Sequence, residues 1–209
     1  MATAPLDTLP RLGGALALDF VNTIDPRYGS DRVDYLPDYE ALAAWAAWAK
    51  AIAEEDRAGL LAQAERAAPQ AAAVHRRALR LRDHLYALLR PARDASAVDG
   101  HARAFSVELR RAHAHAQLAV AGDAYAVVLE PAAALDRMLW PVVRSASDLM
   151  TSPALARVRE CDGTNCGWLF LDTSKAGRRR WCSMEVCGNR AKARRYRASG
   201  RRRGAAHSD

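Results

Sequence analysis

The chain has 209 residues, half of them apolar, with 31 Lys and Arg against 24 Asp and Glu and a net charge of +7. That length allows one large domain or a medium domain with a small companion, and the Ala- and Leu-rich composition favours helices over sheet. No uncharged apolar run approaches the ~18 residues needed to span a bilayer, which excludes a membrane as partner. The run GALALDFVNT near the start carries Asp19 in its middle and lacks a basic lead-in, so no secretory signal is expected. A cytoplasmic protein follows, under reducing conditions that argue against structural disulfides.

The charge is unevenly spread. Residues 157–209 hold 14 Lys and Arg against 5 Asp and Glu, whereas residues 1–156 hold 17 against 19. This implies a polyanion-binding end joined to an ordinary globular body, with a merely solvated basic tail as the alternative.

In chain order, Gly13-Gly14 opens the apolar stretch ALALDFVNTI, too short for its period to settle helix or strand. PRYGSDRVDYLPD reads as a loop. Asp38 is placed to cap a first helix carrying Leu42, Trp45, Trp48 and Ile52 at helical spacing, and both tryptophans read as core. A second helix is expected over 55–67, around Leu60, Leu61 and Ala64. Pro69 can start a third, with Val74, Ala78, Leu81, Leu85 and Leu88 in one stripe before Pro91 stops it. A fourth spans Asp99 to about His113; His113 and His115 read as surface. QLAVAGDAYAVVLEP changes period to two β-prone runs around Ala-Gly-Asp, a hairpin signal. Pro131 precedes a fifth helix with Leu135, Leu139, Val142, Val143, Ala146 and Leu149. Thr151-Ser152-Pro153 breaks the pattern and divides residues 1–152 from 153–209.

All four cysteines lie beyond that division, as C-x4-C-x15-C-x4-C: Cys161, Cys166, Cys182 and Cys187. Two close pairs separated by a short hairpin's length can bring four thiolates around one tetrahedral zinc. Gly163, Gly167 and Gly188 supply the freedom that turns around a metal need, and Trp168, Phe170 and Trp181 suit small strands packed over it. A basic segment of this size buries little core, and a structural metal supplies what packing lacks. Disulfides, unrelated thiols or a redox pair are the alternatives, the last weakened because neither pair is C-x-x-C.

The stretch CDGTNCGWLFLDTSKAGRRRWCSMEVCGNRAKARRYR resembles the CGNR zinc finger. The match lies in all four cysteines, Trp168, Phe170 and Asp172 as W-x-F-x-D, RRWCSM from Arg179 to Met184, and Cys187-Gly188-Asn189-Arg190 itself. GGALALDFVNT, residues 13–23, is similar to the opening of the ABATE domain that precedes this finger. The resemblance implies a stress-linked bacterial transcription regulator whose finger contacts DNA, and it implies no catalytic activity.

From Asn189 onward the basic segment reads as a helix. Arg190, Arg194 and Arg197 share one face and Lys192 and Arg195 a neighbouring one, offering guanidinium forks to phosphates or guanine edges. Arg178, Arg179 and Arg180 read as a second phosphate clamp. Asn189 reads as a helix cap or a base contact, and Arg201-Arg202-Arg203 as a frayed tail. Asp19, Asn22 and Thr23 fall in an apolar stretch where polar groups need partners. Those partners are either local backbone or a small-molecule effector in a pocket completed by Arg82. The fold class expected is mainly α: a helical N-terminal domain with a small β-hairpin, then a zinc-ribbon-like module followed by a basic helix. Double-stranded DNA is the favoured partner, reached at the nucleoid, and the N-terminal domain serves ligand sensing or homodimer formation. An RNA-binding or ribosome-associated ribbon is the alternative, with Trp168 or Trp181 as stacking platforms. No catalytic constellation is present, so no enzyme is expected.

Overall fold

The computed structural model describes residues 5–91, 96–129 and 134–205. The stretch left open in the sequence is a helix, α1 (Leu16–Val21), in which residues 17–21 are all buried. A short helix whose residues are apolar on every side but for Asp19 belongs in the interior. It leads into β1 (Ile24–Asp25), which pairs antiparallel with β2 (Val33–Asp34), so the expected loop is pinned by a minimal two-strand ladder.

The four helices that follow match the expected ones within a few residues. They are α2 (Tyr39–Trp48), α3 (Glu54–Arg66), α4 (Ala68–Leu89) and α5 (Val98–His113). Asp38 caps α2 by accepting from the Ala41 N–H at 2.8 Å. The hairpin is β3 (Ala116–Ala121) with β4 (Ala124–Leu129), turning at Gly122 with φ +65°. The last helix of the body, α6 (Trp140–Met150), starts later than expected. A 3-10 turn over Arg137–Leu139 comes first, and Pro141 occupies the first turn, where its missing N–H costs nothing. Pro131 lies outside the described residues. Beyond Ser152 come β5 (Val158–Glu160), its antiparallel partner β6 (Leu169–Leu171), and α7 (Asn189–Ala205). The helix α7 includes residues 201–205, expected from the sequence to fray; Arg and Ala propagate a helix readily. No helix among the described residues is long and apolar enough to cross a membrane.

The core forms around α1, which packs on α4 and α6. Phe20 meets Trp45 of α2 with ring centroids 5.1 Å apart, and both are fully buried. The same buried cluster runs on through Val158, Trp168, Leu169, Phe170 and the four cysteines. Backbone bonds cross with it: Leu171 N–H to Gly13 O at 2.8 Å, Arg27 N–H to Cys166 O at 2.9 Å and Tyr28 N–H to Asn165 O at 2.8 Å.

The residues expected to line an effector pocket are instead fastened to protein. Asn22 donates to Leu169 O at 2.8 Å and accepts from Leu169 N–H at 2.9 Å, so its amide acts as one more rung beside β6. Asp19 accepts from Gly13 N–H at 2.9 Å beside Arg11; burial pushes its carboxyl up against those two partners. Arg82 does reach Thr23, at 3.0 Å, but its fork closes on Asp34 at 2.7 and 2.6 Å. Buried polar groups in an apolar stretch have here recruited one another and the backbone, the local-partner alternative read from the sequence.

Arg82 and Asp34 are both at least nine-tenths buried, so removing one strands the other's charge. Arg82→Ala is expected to lower stability by about 3–5 kcal/mol, and Arg82→Lys to recover only part of it because an ammonium cannot make the bidentate contact. Urea denaturation of the two variants against wild type checks both statements.

Candidate metal centre and basic helix

Two knuckles carry the cysteines. The first leaves β5: Cys161 N–H donates to Trp168 O at 2.8 Å, extending the β5–β6 ladder to the first ligand. The chain then turns through Gly163 to Cys166. The second holds Cys182 and Cys187, joined by a π-helical turn over Met184–Gly188 that Ser183 caps, its hydroxyl accepting from Val186 N–H at 3.2 Å. All four side chains are buried, and their sulfurs lie within 4.8 Å of one another. Cys166 and Cys182 Sγ are 3.7 Å apart and Cys182 and Cys187 Sγ 3.8 Å. A metal bound at about 2.3 Å in a tetrahedron sets its sulfurs about 3.8 Å apart. The cluster fits one four-coordinate metal ion with no open position.

The surroundings favour a thiolate at Cys161 and push the other three cysteines up. Gly163 N–H and Cys182 N–H point at Cys161 Sγ from 3.4 and 3.3 Å. Hydrogen bonds from the Cys166 and Cys182 thiols, then these amides, hold the Cys161 thiol far below its ordinary range. Cys166 is pushed up, chiefly by its bond to Cys161. Four buried sulfurs thus share too little charge compensation, and a divalent cation is the group that supplies it. A Cβ on Gly163 would lie 2.9 Å from Cys187 Sγ, so the knuckle closes only over glycine.

The W-x-F-x-D string frames this centre. Trp168 donates its indole N–H to Ile24 O at 2.8 Å. Buried Asp172 accepts from Ser174 Oγ at 2.6 Å, Ser174 N–H at 2.9 Å and Arg179 N–H at 3.0 Å, fixing the turn between the knuckles. The Ser174 hydroxyl leads in holding that carboxyl down to about 2. Phe170 lies under the Arg179 guanidinium at 4.6 Å.

The expected Arg178–Arg180 clamp is therefore divided. Arg179 is turned inward: its guanidinium donates to Trp181 O at 2.9 Å and to Cys182 O, bracing the second knuckle. Arg180 pairs with Asp162 at 2.7 Å and stacks over Trp181, while Arg178 is exposed. Carbonyls that no strand partner reaches claim the nearest guanidinium, a pull that spacing in the sequence does not reveal.

The π-helical turn passes directly into α7. Asn189 has helical dihedrals, φ −67° and ψ −40°, so the cap expected of it falls to Ser183, six residues earlier. Arg190, Lys192, Arg194, Arg195 and Arg197 are all exposed. Arg190 and Arg194, one turn apart, line a cavity of about 320 Å³ that adjoins the cysteine cluster at the seam of finger and body, whose other walls include Thr8, Asp25, Trp168, Ser183 and the cysteines Cys166, Cys182 and Cys187. Burial pushes the Asp25 carboxyl up against the pull of Arg190. Trp168 is 3% exposed and cannot stack on a base, whereas Tyr196, which the sequence reading passed over, is 80% exposed among the arginines. Asp25 was also missed, because nothing local links it to a site more than 130 residues away.

A family model for the CGNR zinc finger matches residues 157–202, and the ABATE model, described as "Putative stress-induced transcription regulator", matches residues 14–153. Their order along the chain is the one expected from the sequence. No curated protein gives a match.

Purified protein is expected to carry one zinc per chain, read by elemental analysis, with sulfur-only coordination in X-ray absorption. Gly163→Ala should weaken zinc retention against a competing chelator at least tenfold, since its Cβ would displace Cys187 Sγ. Because the buried cluster is continuous with the body, chelation should also lower the melting temperature of the helical signal.

Proposed function

On the premise that the chain belongs to the ABATE family and ends in a CGNR zinc finger, we propose that it is a DNA-binding transcription regulator. Cys161, Cys166, Cys182 and Cys187 hold a structural zinc that fixes the start of α7, and α7 binds the duplex. The observation that carries this reading is the join itself. The fourth cysteine lies in a turn that runs unbroken into a helix bearing five exposed cationic side chains. A charge cloud on a loose tail gives only salt-dependent affinity. The same charges on a positioned helix can enter the major groove with guanidinium forks aimed at phosphates or guanine edges. The aromatic ring of Tyr196 is 80% exposed among the arginines, the kind of surface on which unpaired bases stack, which makes structured RNA the second reading.

If about five phosphates are neutralised, log affinity falls with log salt at a slope of roughly −4 to −5. Replacing Arg194 and Arg197 with Ala should flatten that slope by about two, and loss of a base contact should relax sequence preference. Zinc removal should abolish preference and leave weak salt-sensitive association. Equal affinity and preference for intact protein, chelated protein and the peptide 188–209 would refute the positioned helix, and tighter binding to structured RNA would select the second reading.

We infer further that a small-molecule effector is read at the seam cavity. Its support is chemical: Arg190, Arg194 and Asp25 line one cavity together with Thr8, Ser183 and the cysteines Cys166, Cys182 and Cys187, a set of charged and polar groups that suits a small acid carrying a hydroxyl or amine. Malate is the probe. It should raise the melting temperature of the zinc-loaded protein beyond equal ionic strength of chloride and lose that effect in Asp25→Asn; no difference from chloride rejects the site.

A further inference from the structure

The hairpin β3–β4 projects from the body with one face bare. Its register pairs Leu118 with Val127 and Val120 with Tyr125, and strand alternation puts all four on the same side. They are 70%, 44%, 77% and 72% exposed in that order. No charged residue interrupts the face. At its base Leu129 packs against the core, so the apolar surface continues the interior outward instead of ending it. Single exposed apolar residues need no explanation, but a contiguous set on one sheet face does. A lone two-stranded ribbon is also marginal in water unless something packs against it.

We propose that this face is a homodimer interface, in which two copies lay their hairpins face to face about a two-fold axis. Three features select a second copy of this chain as the occupant. The face is wholly apolar, hence complementary to itself, as an isologous contact requires. Its charges lie at opposite ends. Asp123 is at the tip of the hairpin, and half-exposed Arg144 of α6 stands near the base, where its guanidinium donates to Val127 O and lies 3.9 Å from the more exposed Asp148, a loose pair that a second copy's Asp123 can replace. Two hairpins related by a two-fold axis and running in opposite directions bring each tip over the other's base, joining Asp123 of one copy to Arg144 of the next. The third feature is extent. Six-residue strands give a face about 20 Å long. Beside it, between β4 and α6, lies an open groove of about 650 Å³ lined by Val127, Leu129 and Pro141, able to receive a partner's Tyr125. Val127 and Leu129 belong to both, so face and groove form one continuous surface for the second copy. The dimer does not depend on what α7 binds.

Analytical ultracentrifugation of the zinc-loaded full chain tests this. Wild type should sediment as a dimer at micromolar concentration. Leu118→Asp combined with Val120→Lys should give a monomer with unchanged circular dichroism and zinc content, because both side chains are already mostly in water. Asp123→Arg should weaken the dimer at least tenfold, and adding Arg144→Asp should restore it. A wild-type monomer at 100 micromolar, or a dimer untouched by the double apolar substitution, overturns the proposal. So does failure of the charge reversal to rescue, since that removes the two-fold register.

Discussion

One asparagine amide does what a third strand would otherwise do. Asn22, at the end of α1, donates to Leu169 O and accepts from Leu169 N–H. Both backbone groups of a residue in a three-residue strand are thereby satisfied from 147 positions away. Left unpaired in so dry a place, they would cost more than such a strand returns. The contact sets where β6 lies on α1. From β6 follow the position of β5, the first knuckle and the place where four sulfurs meet. A small ribbon with little core of its own is thus mounted on a helical body that has one.

The same seam explains how the charge is distributed. The cationic residues of the last quarter of the chain divide by position. Arg157 donates to Asp172 O at 2.7 Å and Ser174 O at 2.6 Å, and Arg179 braces the second knuckle. These guanidiniums are structural, each standing in for a strand neighbour that the ribbon lacks. The described cationic side chains of α7, from Arg190 to Arg197, are exposed instead. Within α7, Arg190 and Arg194 face the seam cavity near Asp25, whereas the rest of the set is disposed around the helix. A ligand at the seam and a polyanion on α7 therefore draw on shared guanidiniums, which links the two proposals by competition for charge with no conformational relay.

Local signals in the sequence were enough for the parts whose physics is local. The i, i+4 stripe of α4 and the Asp38 cap fix their helices without outside help, and the Ala-Gly-Asp turn fixes the hairpin. The C-x4-C-x15-C-x4-C spacing likewise foretold that the four cysteines meet in one buried cluster, the arrangement two knuckles make around a tetrahedral ion. Tertiary structure alone decided the rest. Whether ALALDFVNTI was helix or strand depended on being surrounded, since a fully buried segment shows no period. The partners of Asn22, Arg82 and Arg179 lay far away, or on backbone that has no sequence identity to read. The facing of Asp25 toward Arg190 across the seam, and the bareness of Leu118, Val120 and Tyr125, are likewise properties of how finished elements stack. A sequence names its side chains and their spacing, but only packing assigns each polar atom the partner it finds.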